Sequence, residues 1–248
     1  MTKAKSAWFL GIWALCKKEL KLLFLQPTTY ICFSVLTIGC ALQFFLRGHF
    51  FEYGLGTADL GLFFTAIPLI SVLTVPPLTM GQWKKGGFLC DSSLSLSETQ
   101  LVLGKWLAAF MVALAMVVPG MCVPVVVSFF GTPDGAQVIP GYVGITFFLA
   151  TATALGVFLG ALTSGPVLSF FVTALVLFLF NVIHLVPLYF SSSDFVTSLC
   201  QNLSFAWHFD RAGKGIIDSR DLVFYLLVTF VLLKASSLIL SFKKRGCL

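Results

Sequence analysis

Long, nearly uncharged runs of apolar residues constrain this chain more than any other feature. Each of six runs is long enough to cross the hydrocarbon core of a bilayer as a helix of about 20 residues. They cover 28–46, 60–80, 102–130, 139–162, 167–190 and 222–242. Helices are predicted because backbone polar groups in lipid must be hydrogen-bonded within their own segment. We therefore expect an all-α integral membrane protein with six transmembrane helices, forming a single transmembrane domain over residues 1–248.

The composition leaves no room for a separate catalytic domain. Only 10% of the 248 residues are charged, against about 25% in an ordinary soluble domain. The seven cysteines lie mostly in or beside apolar runs, and the three histidines are scattered, so a metal site is not expected. A phosphate-binding loop of the Gly-x-x-x-x-Gly-Lys-Ser/Thr kind is absent. We therefore predict a chain that is not an enzyme, has no catalytic residues, and binds neither metal nor cofactor.

The positive charges predict the orientation in the membrane. Most of the 16 lysines and arginines fall before the first run, between the second and third, and after the sixth. The acidic residues mostly fall in the other loops. Because cytoplasmic loops carry the excess of Lys and Arg, both termini are predicted to be cytoplasmic. The basic balance then reflects topology and anionic lipid, and no nucleic-acid partner is expected.

The residues before the first run predict an amphipathic helix in the membrane interface, over 4–26. Lys17, Lys18 and Lys21 share one side of a helical wheel, while Trp8 lies on another. Such a helix places its lysines toward anionic headgroups and its aromatic side in the bilayer. Pro27 is predicted to end it.

The third run contains Pro119 and Pro124, and a kinked helix is expected there because proline removes a backbone donor. The cytoplasmic loop before it, 81–104, mixes aromatic and basic residues, a composition typical of a docking surface. A merely solvated connector is the alternative. Ser97 is predicted to cap the following helix. The candidate contacts with a cytoplasmic partner are Gln82, Trp83, Lys84, Lys85, Gly86, Gly87, Phe88, Leu89 and Glu98.

On the opposite side, the loop 191–220 is the longest, and its part 195–209 is amphipathic enough to form a short helix at the outer interface. Asp218 is placed to cap the last span. Together with His208, Arg220 and Asp221 it marks this external segment, as a structural anchor or as part of gating or release.

Asn181 and His184 are polar residues three positions apart inside the fifth run. Residues at this spacing share one helix face. An ionisable residue within a span is by default a candidate for function. An interhelical hydrogen bond and a contact with a substrate or proton both remain open for this pair.

Three stretches resemble the permeases of type-2 ABC exporters, in particular the gliding-motility-associated (GldF-like) family. The first is the entry to the first span, the second surrounds the loop after the second span, and the third leads into the last span. They are Lys18-Glu19-Leu20-Lys21 with Gln26-Pro27-Thr28-Thr29-Tyr30-Ile31; Pro77-Leu78-Thr79-Met80 with Gly86, Ser97-Glu98-Thr99 and Leu103-Gly104-Lys105; and His208-Phe209 with 215–225.

The resemblance implies a type-2 exporter permease fold in the inner membrane of a bacterium, with the loop 81–104 as the coupling loop. ATP and Mg²⁺ would be bound by a separate ABC ATPase subunit, and a second permease copy or a similar permease would complete the pathway. A membrane-anchored protein with a large external domain is a further implied partner. The loop departs from the family pattern, with Leu89 at an acidic position and fewer residues, so individual salt bridges are not transferred.

Two other functions remain open. A self-contained secondary transporter or channel is the alternative, although the two halves show no convincing internal repeat. A complex that uses ATP hydrolysis for mechanical action on an external partner would need the same contacts as an exporter.

Overall fold

The computed structural model describes residues 2–47, 60–83, 97–130, 135–163, 165–189 and 194–246, and these residues form helices and the turns that join them, with no strand among them. The helices are α1 (Thr2–Leu25), α2 (Pro27–Leu42, followed by a π-helical turn Gln43–Arg47), α3 (Gly61–Thr79), α4 (Glu98–Val117), α5 (Cys122–Phe130), α6 (Gly135–Leu162), α7 (Pro166–Val182), α8 (Val186–Tyr189), α9 (Asp194–Leu203), α10 (Phe205–Gly213) and α11 (Ser219–Gly246).

Within the part of the chain that the structure describes, six helical segments are long and apolar enough to cross a membrane, which agrees with the predicted number. They are Pro27–Leu46, Gly61–Thr79, Glu98–Phe129, Gln137–Leu162, Pro166–Leu185 and Ser219–Lys244. The predicted runs match them to within a few residues at most ends, because an unbroken apolar stretch fixes the existence of a span better than its limits. The chain thus has the character of a multi-pass, all-α membrane protein.

Proline and capping residues in the sequence mark the helix boundaries. Gln26 has extended backbone angles and Pro27 occupies the first turn of α2, so α1 ends where predicted. Ser97 caps α4 in a capping box with Gln100, which confirms the predicted cap. In the third span, where a kinked helix is expected, a 3₁₀ turn over Val118–Met121 interrupts the α-helix at Pro119 and separates α4 from α5.

The outer part of the fifth run is less regular than predicted. A 3₁₀ turn, Ile183–Leu185, follows α7, and only the single turn of α8 comes after it. Pro187 lacks the amide hydrogen that would bond to the carbonyl of Ile183, so the helix tightens there. The predicted single helix over 195–209 is also two helices. Ser204 separates them with extended backbone angles, and its hydroxyl accepts the amide of Trp207 to cap α10.

Helix α6 is the centre of the bundle. It contacts α3, α4, α7, α10 and α11, and it is the most buried of the six spans. Close approach to it depends on small residues. A Cβ at Gly144 would meet the side chains of Ala212 and Phe209 on α10, at 2.7 and 3.3 Å. The short helix α10 is thereby packed into one end of the bundle and does not lie on its surface.

Candidate functional site

A buried ion pair joins α1 to α4 at the end of the bundle that also holds the last residues of α11. Nζ of Lys105 lies 2.6 Å from Oε1 of Glu19, and the two side chains are 2% and 10% exposed. The same ammonium donates to the backbone carbonyl of Gln82 at 2.9 Å and lies 5.3 Å from the centre of the Trp83 ring. A lysine ammonium has three donor hydrogens, and its burial carries a high desolvation cost. Here a carboxylate, a carbonyl and a ring face offset that cost.

The first residues of the loop 81–104 belong to the same cluster. The side-chain amide of Gln82 is buried and donates to the backbone carbonyl of Lys105 at 3.3 Å. The indole nitrogen of Trp83 donates to the carbonyl of Val157 on α6 at 3.0 Å. We call the set Glu19, Gln82, Trp83, Lys105 and Val157 the junction. It ties three spans, α3, α4 and α6, to α1.

Glycines on α6 allow the segment after α3 to approach so closely. A Cβ at Gly160 would lie 2.8 Å from Cδ1 of Trp83, and one at Gly156 would overlap the Thr79 side chain. Real Cβ atoms do not approach other atoms so closely, so a larger residue at either position would push the start of the loop off α6. The glycines are therefore part of what holds Trp83 in place.

The other end of the loop is also anchored. The amide nitrogen of the Gln100 side chain donates to the backbone carbonyl of Trp8 on α1 at 3.0 Å, while its oxygen accepts the amide of Ser97 at 2.9 Å. Glu98 receives Nζ of Lys244 at 3.3 Å, which connects α4 with the end of α11. Both described ends of the loop are thus attached to the helical bundle and to α1.

Three of the predicted partner contacts lie at the two described ends of the loop. Gln82 and Trp83 form hydrogen bonds within the chain, and Glu98 is partly exposed beside Lys244. The other predicted contacts lie outside the described residues: Lys84, Lys85, Gly86, Gly87, Phe88 and Leu89. That this loop contacts a cytoplasmic partner stays a prediction.

Helix α1 has a buried face and an exposed face. Ile12, Leu15, Cys16, Glu19 and Leu23 are buried at helical spacing and face the bundle. The three predicted lysines, Lys17, Lys18 and Lys21, are exposed, as is Trp8. The helix packs against the side of α4, with Sγ of Cys16 4.0 Å from Sδ of Met111. Its position relative to lipid headgroups stays a prediction.

At the opposite end, a charged cluster fixes α10 to the start of α11. Oδ1 of Asp221 receives Nδ1 of His208 at 2.5 Å and Nη2 of Arg211 at 2.9 Å, and Arg211 reaches Asp218 at 3.2 Å. The other ring nitrogen of His208 faces the carbonyl of Asn202 at 3.0 Å. Both ring nitrogens of His208 therefore lie against oxygen atoms that accept hydrogen bonds.

Each predicted residue of the external segment has a place in or beside this cluster. Asp218 accepts the amide of Arg220 at 2.9 Å, so it caps α11 as predicted. The Arg220 side chain is exposed. The buried hydroxyl of Tyr225 adds a bond to the carbonyl of Phe205 at 2.7 Å. These contacts are the kind that the anchor interpretation of this segment requires, and they do not test a role in gating.

Asn181 and His184 contact different elements. The side-chain amide of Asn181 donates to the backbone carbonyl of Pro68 on α3 at 3.1 Å. Nδ1 of His184 lies 3.0 Å from the hydroxyl of Ser204, at the start of α10. Both therefore make contacts between helices, and these contacts alone leave open whether the pair also meets a substrate.

Sequence reasoning missed the junction. Lys105 lies three residues inside an apolar run, and that position is the signal that could have identified it. Glu19 stands among lysines, and nothing in the local pattern indicates a partner 86 residues away. Among the described residues, no group of three or more His, Cys, Asp or Glu side chains could hold a metal ion.

No protein-family model matches this chain, and neither does any curated protein.

Proposed function

We propose that this chain is the membrane-spanning permease subunit of an ATP-driven export complex of the type-2 ABC class. A separate ATPase subunit would bind ATP and Mg²⁺, and its motion would be passed to the spans through the loop 81–104 and α1. A second copy of this chain, or a similar permease, would complete the pathway. We place the complex in the cytoplasmic membrane of a bacterium, with both chain termini in the cytoplasm.

The observation that carries the proposal is the junction. A force on the loop would be transmitted to the bundle through Gln82 and Trp83. Gln82 is hydrogen-bonded to α4, and Trp83 is hydrogen-bonded to α6. The ion pair of Lys105 with Glu19 adds α1 to the same unit. Because packed helices move as rigid bodies, displacement of the loop would move α1 and three spans together. A simple solvated connector has no need for such attachments.

The positive charges support the same orientation. Lys17, Lys18 and Lys21 are exposed on α1, and Lys244 lies at the same end of the bundle, beside Glu98. The positive-inside rule assigns this end to the cytoplasm, where ATP and its subunit are. The opposite end, with the cluster of Asp218 and Asp221, would face outward and is where a membrane-anchored partner with an external domain would dock.

The test is affinity purification of the tagged chain from native membranes in mild detergent, followed by mass spectrometry and an ATPase assay. We expect an ABC ATPase subunit in near-stoichiometric amount. Charge reversal of Lys84 and Lys85 should reduce its recovery or its stimulated ATPase rate. Lys214→Glu, an exposed charge reversal at the opposite end, is the matched control and should change neither.

Three outcomes would contradict all or part of this proposal. If the chain purifies alone or only with itself, the self-contained transporter or channel replaces it. If an ATPase subunit is present but the reconstituted complex hydrolyses ATP without moving any solute, export is replaced by mechanical action on the external partner. Unchanged recovery and ATPase rate in the Lys84 and Lys85 variant would remove the loop from the coupling mechanism.

A further inference from the structure

A cavity of about 360 Å³ lies between α3, α7 with its 3₁₀ extension, and α10, near the end of the bundle opposite the junction. Its walls are mainly apolar, and they include Pro68 and Leu69 on α3, Val182 and Leu185 after α7, and Trp207 on α10. Most of these residues belong to segments long and apolar enough to span the membrane. The cavity is partly open, and Leu69 at its wall is 52% exposed. It is therefore within reach of a molecule dissolved in the bilayer.

A buried polar side chain at this wall has an atom without a hydrogen-bond partner. Asn181 lines the cavity and is 4% exposed, and its side-chain oxygen has no hydrogen-bond partner in the structure. The orientation of the amide follows from its neighbour: a backbone carbonyl only accepts, so the nitrogen must face Pro68 and the oxygen is the free group. A buried acceptor without a donor is costly. The free oxygen therefore favours a ligand that donates a hydrogen bond.

The other polar groups of the lining favour the same chemistry. Asp210 contributes a carboxylate, which is paired with Lys214 at 2.5 Å and also accepts hydrogen bonds. His184 is held by Ser204. The free oxygen of Asn181 and the carboxylate of Asp210 are acceptors among mainly apolar walls, and they suit a polar group that donates and that is attached to a hydrocarbon tail.

From these observations we infer that the cavity binds an amphiphile from the membrane, with a hydroxyl, amide or amine that donates to Asn181 and a tail that lies along α3 and α7. This inference concerns a binding site in the chain itself. It holds whether or not an ATPase subunit drives the protein, and it goes beyond the proposed permease function.

The test uses two photoreactive probes with the same tail: hexadecanol carrying a diazirine in mid-chain, and the methyl ether of that alcohol. The ether keeps the apolar contacts but cannot donate. The full-length protein is placed in nanodiscs of phosphatidylcholine, a lipid whose headgroup has no hydrogen-bond donor to compete for Asn181. Labelled peptides are identified by mass spectrometry as a function of probe concentration.

We expect saturable labelling of α3, α7 and α10 peptides by the alcohol, at a concentration about tenfold lower than for the ether, the ratio that one hydrogen bond to a buried acceptor supplies. Asn181→Leu should remove the preference for the alcohol and leave labelling by the ether. Leu69→Trp should fill the cavity and abolish saturable labelling by both probes. Leu73→Trp, one turn along the same exposed helix face, is the matched control and should label like the wild type.

If the two probes reach half-maximal labelling of the wild type at the same concentration, the inference is overturned. That result would mean that the alcohol does not donate a hydrogen bond to Asn181. Labelling that never saturates, or that Leu73→Trp reduces as strongly as Leu69→Trp, would show annular lipid only and would also overturn it. The comparison of the two probes on the wild type and the Leu69 variant decides the question even if Asn181→Leu does not fold.

Discussion

Removal of one charge from the buried pair of Glu19 and Lys105 should destabilise the protein far more than removal of both. In Glu19→Leu, the ammonium of Lys105 stays 2% exposed and loses the carboxylate that balances its charge, while the carbonyl of Gln82 and the ring of Trp83 remain beside it. Breaking one side of a buried ion pair costs about 3–5 kcal/mol. Lys105→Met leaves the Glu19 carboxylate behind and should cost a similar amount.

The double variant Glu19→Leu/Lys105→Met should be close to the wild type. Replacement of a buried pair by apolar side chains of similar volume is often neutral or stabilising. Here the carbonyl of Gln82 loses a donor, so a net loss of about 1 kcal/mol is expected. With about 3–5 kcal/mol lost in each single variant, the coupling energy of the cycle should therefore be about 5 kcal/mol or more.

The assay is thermal unfolding of the purified full-length chain in detergent, followed by tryptophan fluorescence. For a protein of this size about 1 kcal/mol corresponds to a shift in Tm of about 2–4 °C. Each single variant should therefore lower the Tm by about 10 °C, and the double variant should recover most of this loss.

The exposed pair of Glu98 and Lys244 is the matched control. It joins the same helix α4 to another helix, but its side chains are 36% and 55% exposed. Surface pairs contribute about 0–1 kcal/mol, so the same cycle at this pair should shift the Tm by no more than a few degrees. Equal effects of the two cycles, or a double variant at the junction as unstable as the singles, would refute the buried-pair reasoning.

Three further predictions concern packing, hydrogen bonding and a thiol. Gly160→Ala should cost about 1–3 kcal/mol, since its Cβ would meet Trp83, whereas Gly165→Ala has open space and should be tolerated in the same melt. Tyr225→Phe should cost about 1–2 kcal/mol by removing the bond to Phe205; Tyr30→Phe, on an exposed ring, is its control.

The third concerns Cys16, where burial raises the pKa of the thiol above its ordinary value of 9.0. N-ethylmaleimide should therefore label Cys200, which is partly exposed and lies outside the spans, well before Cys16 at neutral pH. The neutral thiol stabilises the fold fully below pH 9.0, and this stabilisation is lost as the pH rises further, so alkali should lower the Tm of the wild type more than that of Cys16→Ala.

The features that the sequence predicted well are those set by local chemistry. Run length indicates the spans, Pro27 ends α1, and Ser97 and Asp218 cap the helices that follow them. Contacts between distant segments were not predictable in this way. The burial of Lys105 depends on Glu19, and the free acceptor of Asn181 depends on its amide being used by Pro68. The sequence did not predict the break at Ser204, because the amphipathic pattern continues from α9 into α10. The cap that starts α10 depends on the hydroxyl of Ser204 alone.

The two ends of the bundle are physically connected through α6. At one end Trp83 is bonded to Val157 and packs over Gly160, and at the other Phe209 packs against Gly144. Gly144 and Val157 are 13 positions apart on one unbroken helix, which is about 20 Å. A helix of this length, packed on several sides, responds to a push by tilting as a unit. Displacement of the start of the loop would therefore also move α10. Because Trp207 and Asp210 of α10 line the cavity beside Asn181, the proposed coupling path and the inferred amphiphile site are connected through the same helix, α6.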